Sequence, residues 1–377
     1  MVSPRVFFYV QHLLGIGHLA RASRIATSLS KNGYTVTVVT GGLPVPGFPP
    51  AGINSIALPA VATGNLDYST LVDEHGDVVG PAFLAMRREK LLSAFHSFAP
   101  HVVILEAFPF GRRQMSFELL PLLDAVRLCS PRPKVLTSVR DIIEPQSKLQ
   151  RDEETVSFLR DYFDAVLVHG DPRFIHFDET FRLTEKIAEK IVYTGLVAPI
   201  PPTEANETFQ IVVSAGGGAS GLQVLEASQK AARIARRDLR WCLISGPYLP
   251  EADFSTLAQS APPNVQLVRF REDFLSLLRG AEISISRAGY NTVCDILATG
   301  CRSLLVPFIG GGETEQTVRA KRLQTIGRAK VLSETNLTAE ILASAIDTAL
   351  VSPKSFAHGL DLDGSEKTVS IIRALLS

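Results

Sequence analysis

Val6-Phe7-Phe8-Tyr9-Val10 leads through Gln11-His12-Leu13-Leu14 into Gly15-Ile16-Gly17-His18. About half-way along the chain, Ile211-Val212-Val213-Ser214 leads in the same way into Ala215-Gly216-Gly217-Gly218-Ala219-Ser220. Each stretch reads as a strand, a glycine turn and the start of a helix, where free backbone N–H groups and the positive end of the helix dipole favour an anion. Two such units predict an α/β chain of two doubly wound parallel-sheet halves facing each other across a central cleft.

The rest of the sequence agrees with two domains. The chain has 377 residues, too many for one ordinary core, with 46% hydrophobic and 20% charged residues and a net charge of zero. That balance gives no reason to expect nucleic acid as a partner. Cys129, Cys242, Cys294 and Cys301 form no CxxC pair, which speaks against a zinc site or a disulfide framework and suits a reducing compartment. No leader pattern and no long apolar span is present, so the expected location is cytoplasmic.

Strand-like and helix-like segments alternate throughout. Strands are expected at 6–10, 35–39, 53–58, 101–105, 134–137, 165–168 and 191–193, and helices at 20–32, 83–98 and 112–128, with an irregular loop over 59–80. The proline-rich stretch 197–206 reads as a linker. The second half repeats the pattern, with strands near 211–214, 240–244, 265–268, 282–285, 303–306 and 329–332. The domains expected are therefore 1–198, 207–352 and a terminal segment 353–377 whose helix, about 364–376, packs back on the first domain.

Three places carry candidate chemistry. His18, in the first turn of a helix, can accept or donate a proton, and the dipole there favours a neutral ring. The run Ala215 to Ser220 offers consecutive N–H donors for a diphosphate, although it is not a P-loop, since no Gly-Lys-Ser/Thr follows. The cluster Ser286-Arg287-Ala288-Gly289-Tyr290-Asn291 to Asp295, followed by Pro307 and Glu315-Gln316, is the most specific. Asn291 reads as an N-cap, with Asp295 a turn later able to accept from ribose hydroxyls. Glu315 and Gln316 open the next helix with groups suited to sugar hydroxyls.

In the order and spacing of these motifs the chain resembles the MurG-like, family-28-like GT-B glycosyltransferases, whose fold is two Rossmann-like domains. The stretch Glu106 to Arg113 and Ser138-Val139-Arg140-Asp141 look more like a predicted subgroup than like the peptidoglycan enzyme itself. The resemblance implies an inverting transfer from a nucleotide-diphosphate sugar, UDP-N-acetylglucosamine foremost, to a glycan, lipid-linked or small-molecule acceptor. It implies no cofactor besides that co-substrate, and no metal. Donor binding would fall to Gly216, Gly217, Gly218, Ser286, Arg287, Gly289, Asn291, Asp295, Glu315 and Gln316. The acceptor side would comprise His12, Gly15, Gly17 and Arg140, with His18, then Asp141, then Glu106 as candidate general bases. Phe83, Leu84, Leu91, Leu92, Phe95 and Phe98, mixed with Arg87, Arg88 and Lys90 over 81–98, offer peripheral contact with the inner membrane face. The alternatives are a sugar-nucleotide hydrolase, suggested by Gly15 to Arg21, and a catalytically inactive partner subunit of another transferase.

Overall fold

The computed structural model describes residues 3–13, 17–63, 70–144, 149–216, 221–235, 239–310, 314–352 and 359–377. They divide into two units, Met1–Val197 with Asp361–Ser377, and Ala198–Leu360. In the first, β1 (Arg5–Val10) is followed by α1 (Gly17–Lys31), β2 (Thr35–Thr40) and β3 (Asn54–Ala57). Next come a small hairpin of β4 (Ala62–Thr63) and β5 (Leu71–Val72), then α2 (Pro81–Phe98), β6 (Val102–Glu106) and α3 (Ser116–Arg127). The unit continues with β7 (Lys134–Arg140), α4 (Leu149–Tyr162), β8 (Ala165–His169) and β9 (Ile191–Tyr193). Its parallel sheet has the order β3-β2-β1-β6-β7-β8-β9.

The apolar runs seen in the sequence are apolar because both faces of these strands are covered. Val6 to Val10, Val102 to Glu106 and Ala165 to His169 are buried throughout. From one side α1 contributes Leu19, Ala22, Ile25, Ala26 and Leu29; from the other, Leu91 and Phe95 of α2 join Leu119, Leu122 and Leu123 of α3. Burying a side chain of this size contributes roughly 1.5–3 kcal/mol.

The second unit repeats the plan with β10 (Ile211–Ser214), α5 (Leu222–Ile234), β11 (Trp241–Ile244), α6 (Glu251–Gln259), β12 (Val265–Val268) and α7 (Phe274–Gly280). It continues with β13 (Ile283–Ser286), α8 (Tyr290–Thr299), β14 (Arg302–Leu305), α9 (Glu315–Thr325), β15 (Lys330–Val331) and α10 (Ala339–Val351). The sheet order is β12-β11-β10-β13-β14-β15, again parallel. Chain order reverses between β1 and β6 in one sheet and between β10 and β13 in the other. In open α/β sheets such switch points, at the carboxyl ends of the strands, are where ligands bind.

The final helix, α11 (Gly364–Leu376), belongs to the first unit, where Val369 and Ile372 share a core with Ile25 and Leu29 of α1. The outgoing and returning chains are paired. Leu196 N–H donates to Asp361 O at 2.8 Å, Gly364 N–H donates to Leu196 O at 3.0 Å, and Val197 bridges Asp363. A Cβ on Gly364 would stand 2.5 Å from the Gly195 carbonyl oxygen, so no larger residue fits that crossing as built.

Several local expectations are corrected. The loop over 59–80 contains the β4–β5 hairpin, and α3 starts at Ser116 after a 3-10 turn at Arg113–Met115. Helix α4 had no counterpart in the sequence reading. The interfacial reading of 81–98 also fails: Leu91 and Phe95 are buried, and Phe83, Leu92 and Phe98 pack against the same core. Arg87 is fully buried and ion-paired with Glu118, while Glu89, Lys90, Ser93, His96 and Ser97 face outward. Among the described residues no helix is long and apolar enough to cross a membrane.

Candidate functional site

At the first switch point, β1 ends in Gln11-His12, β6 in Glu106, β7 in Arg140 and β8 in His169, and α1 brings His18 at its second residue. Gly15 lies outside the described residues; Gly17, the first residue of α1, is exposed. His18 is half-buried, with the Nη2 of Arg112 at 3.4 Å from its Nδ1 and 3.5 Å from its Nε2. Burial holds its pKa well below the ordinary histidine value, helped by the charges of Arg112, Arg21, His12 and Arg140. His12 is also pushed down, by burial and then by Arg112 against the opposing pull of the Leu43 backbone. Apart from that Leu43 backbone contact, its buried ring nitrogens have no hydrogen-bond partner among the described residues, and its ring centroid is 6.4 Å from that of His18.

The other two candidate bases are placed differently. Glu106 is 1% exposed, ion-paired with Arg21 and accepting a 2.9 Å bond from Ser138 Oγ. Ser138 Oγ also lies 2.9 Å from His169 Nε2, whose Nδ1 is 2.8 Å from Thr194 Oγ1. Ser138 Oγ can donate to the Glu106 carboxylate while accepting from His169 Nε2–H; the Thr194 hydroxyl, 2.8 Å from both His169 Nδ1 and the Gly195 carbonyl, has one proton for the two acceptors. Burial keeps His169 neutral, with the Arg21 charge adding to the effect. Asp141 is 1% exposed and accepts from the Ile142 N–H at 2.9 Å. Neither carboxylate meets solvent, and of the three candidates only His18 does. Arg140 donates through Nε to the Ile142 carbonyl at 3.1 Å.

At the second switch point the ends of β10 and β13 approach each other. Gly216 has φ +88°, and a Cβ there would stand 3.6 Å from Arg287 Cγ; Gly217 and Gly218 lie outside the described residues. Gly289, not Asn291, is the N-cap of α8. The chain is extended at Gly289, so the helix starts two residues earlier than the cap preference of Asn suggests, and Asn291 is its second residue. Gly289 has no side chain with which to cap this end, and the space a Cβ would take there is open. Asp295 lies further along α8 and is 8% exposed. Ser286 Oγ is buried with no hydrogen-bond partner among the described residues.

The turn after β13 is gripped from behind. Gln316 Oε1 accepts from the N–H groups of Ala288 and Phe308, both at 3.2 Å. Arg319 Nη1 donates to Ala288 O and to Glu315 Oε1, each at 2.9 Å. Arg287 is ion-paired with Glu334, donates to Val306 O at 3.1 Å and lies over the Phe308 ring. The side chains of Arg287, Glu315 and Gln316 are thus engaged with the turn itself as well as lying near it, a role the sequence reading did not assign. Arg319 was missed, although its i+4 spacing from Glu315 marks an ion pair. Phe270 and Tyr248, 68% and 53% exposed just beyond β12 and β11, add aromatic surface to the same edge and had no sequence signal of their own.

This edge decides the relationship. Residues 211–361 match the glycosyltransferase family 28 C-terminal domain. The curated relatives include the UDP-N-acetylglucosamine–N-acetylmuramyl-(pentapeptide) pyrophosphoryl-undecaprenol N-acetylglucosamine transferases of Agrobacterium fabrum and Bacillus licheniformis. The first is 30% identical over 159 residues, 41% of this chain and 42% of the relative. The second is 25% identical over 243 residues, 59% of this chain and 63% of the relative. The chain therefore covers less than two thirds of the length of either. Among solved structures, MurG of Acinetobacter baumannii superposes with a TM-score of 0.64 at 18% identity, over 98% of this chain and all of that one. CalG4, the calicheamicin glycosyltransferase, gives 0.61 at 17% identity, over 100% and 95%. The resemblance to MurG-like proteins is borne out, and the fold is of the GT-B type with two Rossmann-like, parallel-sheet domains.

Proposed function

We propose that the chain is a glycosyltransferase that takes a sugar from a nucleotide diphosphate, UDP-N-acetylglucosamine foremost, and passes it with inversion and without a metal to an acceptor hydroxyl. The acceptor class is a glycan, a lipid-linked sugar or a small molecule. The observation that carries this reading is the braced turn from Ser286 to Asn291, which opens α8 at a switch point inside the family-28 match. As the glycosidic bond to the donor breaks, negative charge grows on the leaving diphosphate, and N–H groups already fixed in place stabilise it without reorganising. Gln316 and Arg319 do that fixing. Asp295 accepts from the ribose, and Glu315 and the Gln316 amide meet the sugar.

His18 removes the acceptor proton. A neutral imidazole with a free lone pair is the correct starting form, and the cations around it keep it in that form. The engaged carboxylates Glu106 and Asp141 are less suited to the task. We place the protein in the cytoplasm; contact with the inner face of the membrane would use a surface other than 81–98.

Calorimetry with UDP-N-acetylglucosamine, GDP-, dTDP- and CMP-sugars tests donor binding, and transfer of radiolabel into lipid and glycan extracts tests the reaction. Binding of a nucleotide sugar that Asp295→Ala weakens is the expected result. Failure to bind any of the four rejects the proposal, and release of free sugar without an acceptor makes the protein a hydrolase.

A further inference from the structure

We propose that Arg112 is the positioning residue for His18: its guanidinium joins the end of β1 to the first turn of α1 across the glycine turn and holds the imidazole in place. The inference rests on His18 as the base and adds what holds that base.

Arg112 Nε donates to the Gln11 carbonyl at 2.7 Å, and its Nη2 meets both ring nitrogens of His18. One side chain, reaching from the loop after β6, therefore contacts residues on either flank of the turn. Its backbone aims it there. Arg112 has φ 60° and ψ 28°, in the left-handed region that few arginines adopt, and Ala107 in the same loop has φ 64°. The loop is fixed by Gly111 N–H donating to Ala107 O at 2.7 Å and by Met115 N–H donating to Arg112 O at 2.9 Å. Such a conformation costs energy and persists where surrounding contacts impose it.

The contact with His18 is longer than a directed hydrogen bond and divided between two nitrogens, so it leaves the ring lone pair available to a substrate. The charged or titratable groups facing the ring are Arg112 from the β6 loop, Arg21 from α1 itself, His12 from the end of β1 and Arg140 from the end of β7. Arg21 has its own counter-ion in Glu106. A cation beside the ring opposes its protonation, which supports the same assignment.

The test is an NMR titration of the histidine ring resonances in the intact protein, with His18→Gln to assign the signal. His18 in the native protein titrates below the ordinary value of about 6.5. In Arg112→Gln and Arg112→Gly its midpoint moves up towards that value and its resonance broadens. Glycine tolerates the left-handed backbone, so Arg112→Gly isolates the guanidinium from any folding defect of the glutamine variant. Arg113→Gln, which breaks the exposed pair with Glu154, leaves His18 unchanged. An unshifted His18 midpoint in folded Arg112→Gly overturns the proposal. With a donor and acceptor in hand, the acid limb of kcat/KM moves up in the same variant while KM for the nucleotide sugar stays constant. No turnover in the native protein would count against the transferase reading, and the titration would still decide the role of Arg112.

Discussion

The two switch points start from the same device and use charge in opposite ways. In the first unit, charged side chains lie beneath and around the end of the sheet: Arg21 with Glu106, and Arg87 with Glu118. They leave a neutral histidine at the rim. In the second, Arg287, Arg319 and Gln316 stand behind a turn and hold its backbone, with the N-terminus of α8 at the rim. One unit presents a side chain and the other presents the main chain. Under the proposed function, the first would serve as proton acceptor and the second as anion cradle.

Replacing His18 by Ala is the strongest way to break this contrast. Turnover falls by roughly 10²–10⁴-fold, the range of a lost general base, while nucleotide-sugar affinity measured by calorimetry stays the same. An equal loss in both would merge the two roles. Arg87→Met comes next, since it leaves Glu118 charged and unpaired in the core; Arg87 also donates to Gln11 Oε1 at 2.6 Å and to Gly41 O at 2.8 Å. Losing one partner of such a pair costs about 3–5 kcal/mol. In urea the unfolding transition of the first unit shifts and that of the second does not.

Acid separates the units too. Seven of the eight histidines lie in residues 1–197, and the eighth is His358. His18 and His169 are held well below the ordinary histidine value and His12 is also lowered. Their folded forms resist a proton that the unfolded chain accepts, so the stability they contribute is complete above about pH 6.5 and is lost as pH falls from there towards the folded values. Each costs up to about 1.4 kcal/mol per pH unit in that window. Denaturation followed at pH 7 and pH 5 should find the first unit more acid-labile, and equal sensitivity would contradict the burial of these rings. The smallest structural effect belongs to Gly289→Ala. The backbone there is ordinary and the space open, so stability changes by no more than about 0.5 kcal/mol. Nucleotide-sugar affinity nonetheless drops if the open space is where the diphosphate approaches.

Much of this was legible in the chain. Strands buried on both faces announce themselves as apolar runs, which is why 211–214 falls where the sequence placed it; the partly buried edge strands 191–193 and 265–268 fall in place as well. Helix α4 did not announce itself: its stripe is narrow, Thr155, Val156 and Leu159, and its buried Asp152 is explained only by Arg182, thirty residues on. The same limit applied at the sites. Motif spacing identified the turn after β13, but the pairing of Arg287 with Glu334, of Arg87 with Glu118 and of Arg112 with His18 joins distant segments, and no local pattern encodes such contacts. The cap on α8 was misplaced because preference favoured Asn291 while backbone geometry selected Gly289.

The paired crossing at Leu196 and Asp361 makes the second unit a modular cassette. Both of its covalent tethers leave the first unit at a single paired junction, so the corresponding unit of a relative can be grafted by matching one junction, with Gly195 and Gly364 retained. Exchanging donor preference then becomes a cut-and-splice problem, with the histidine-bearing half left as the common chassis.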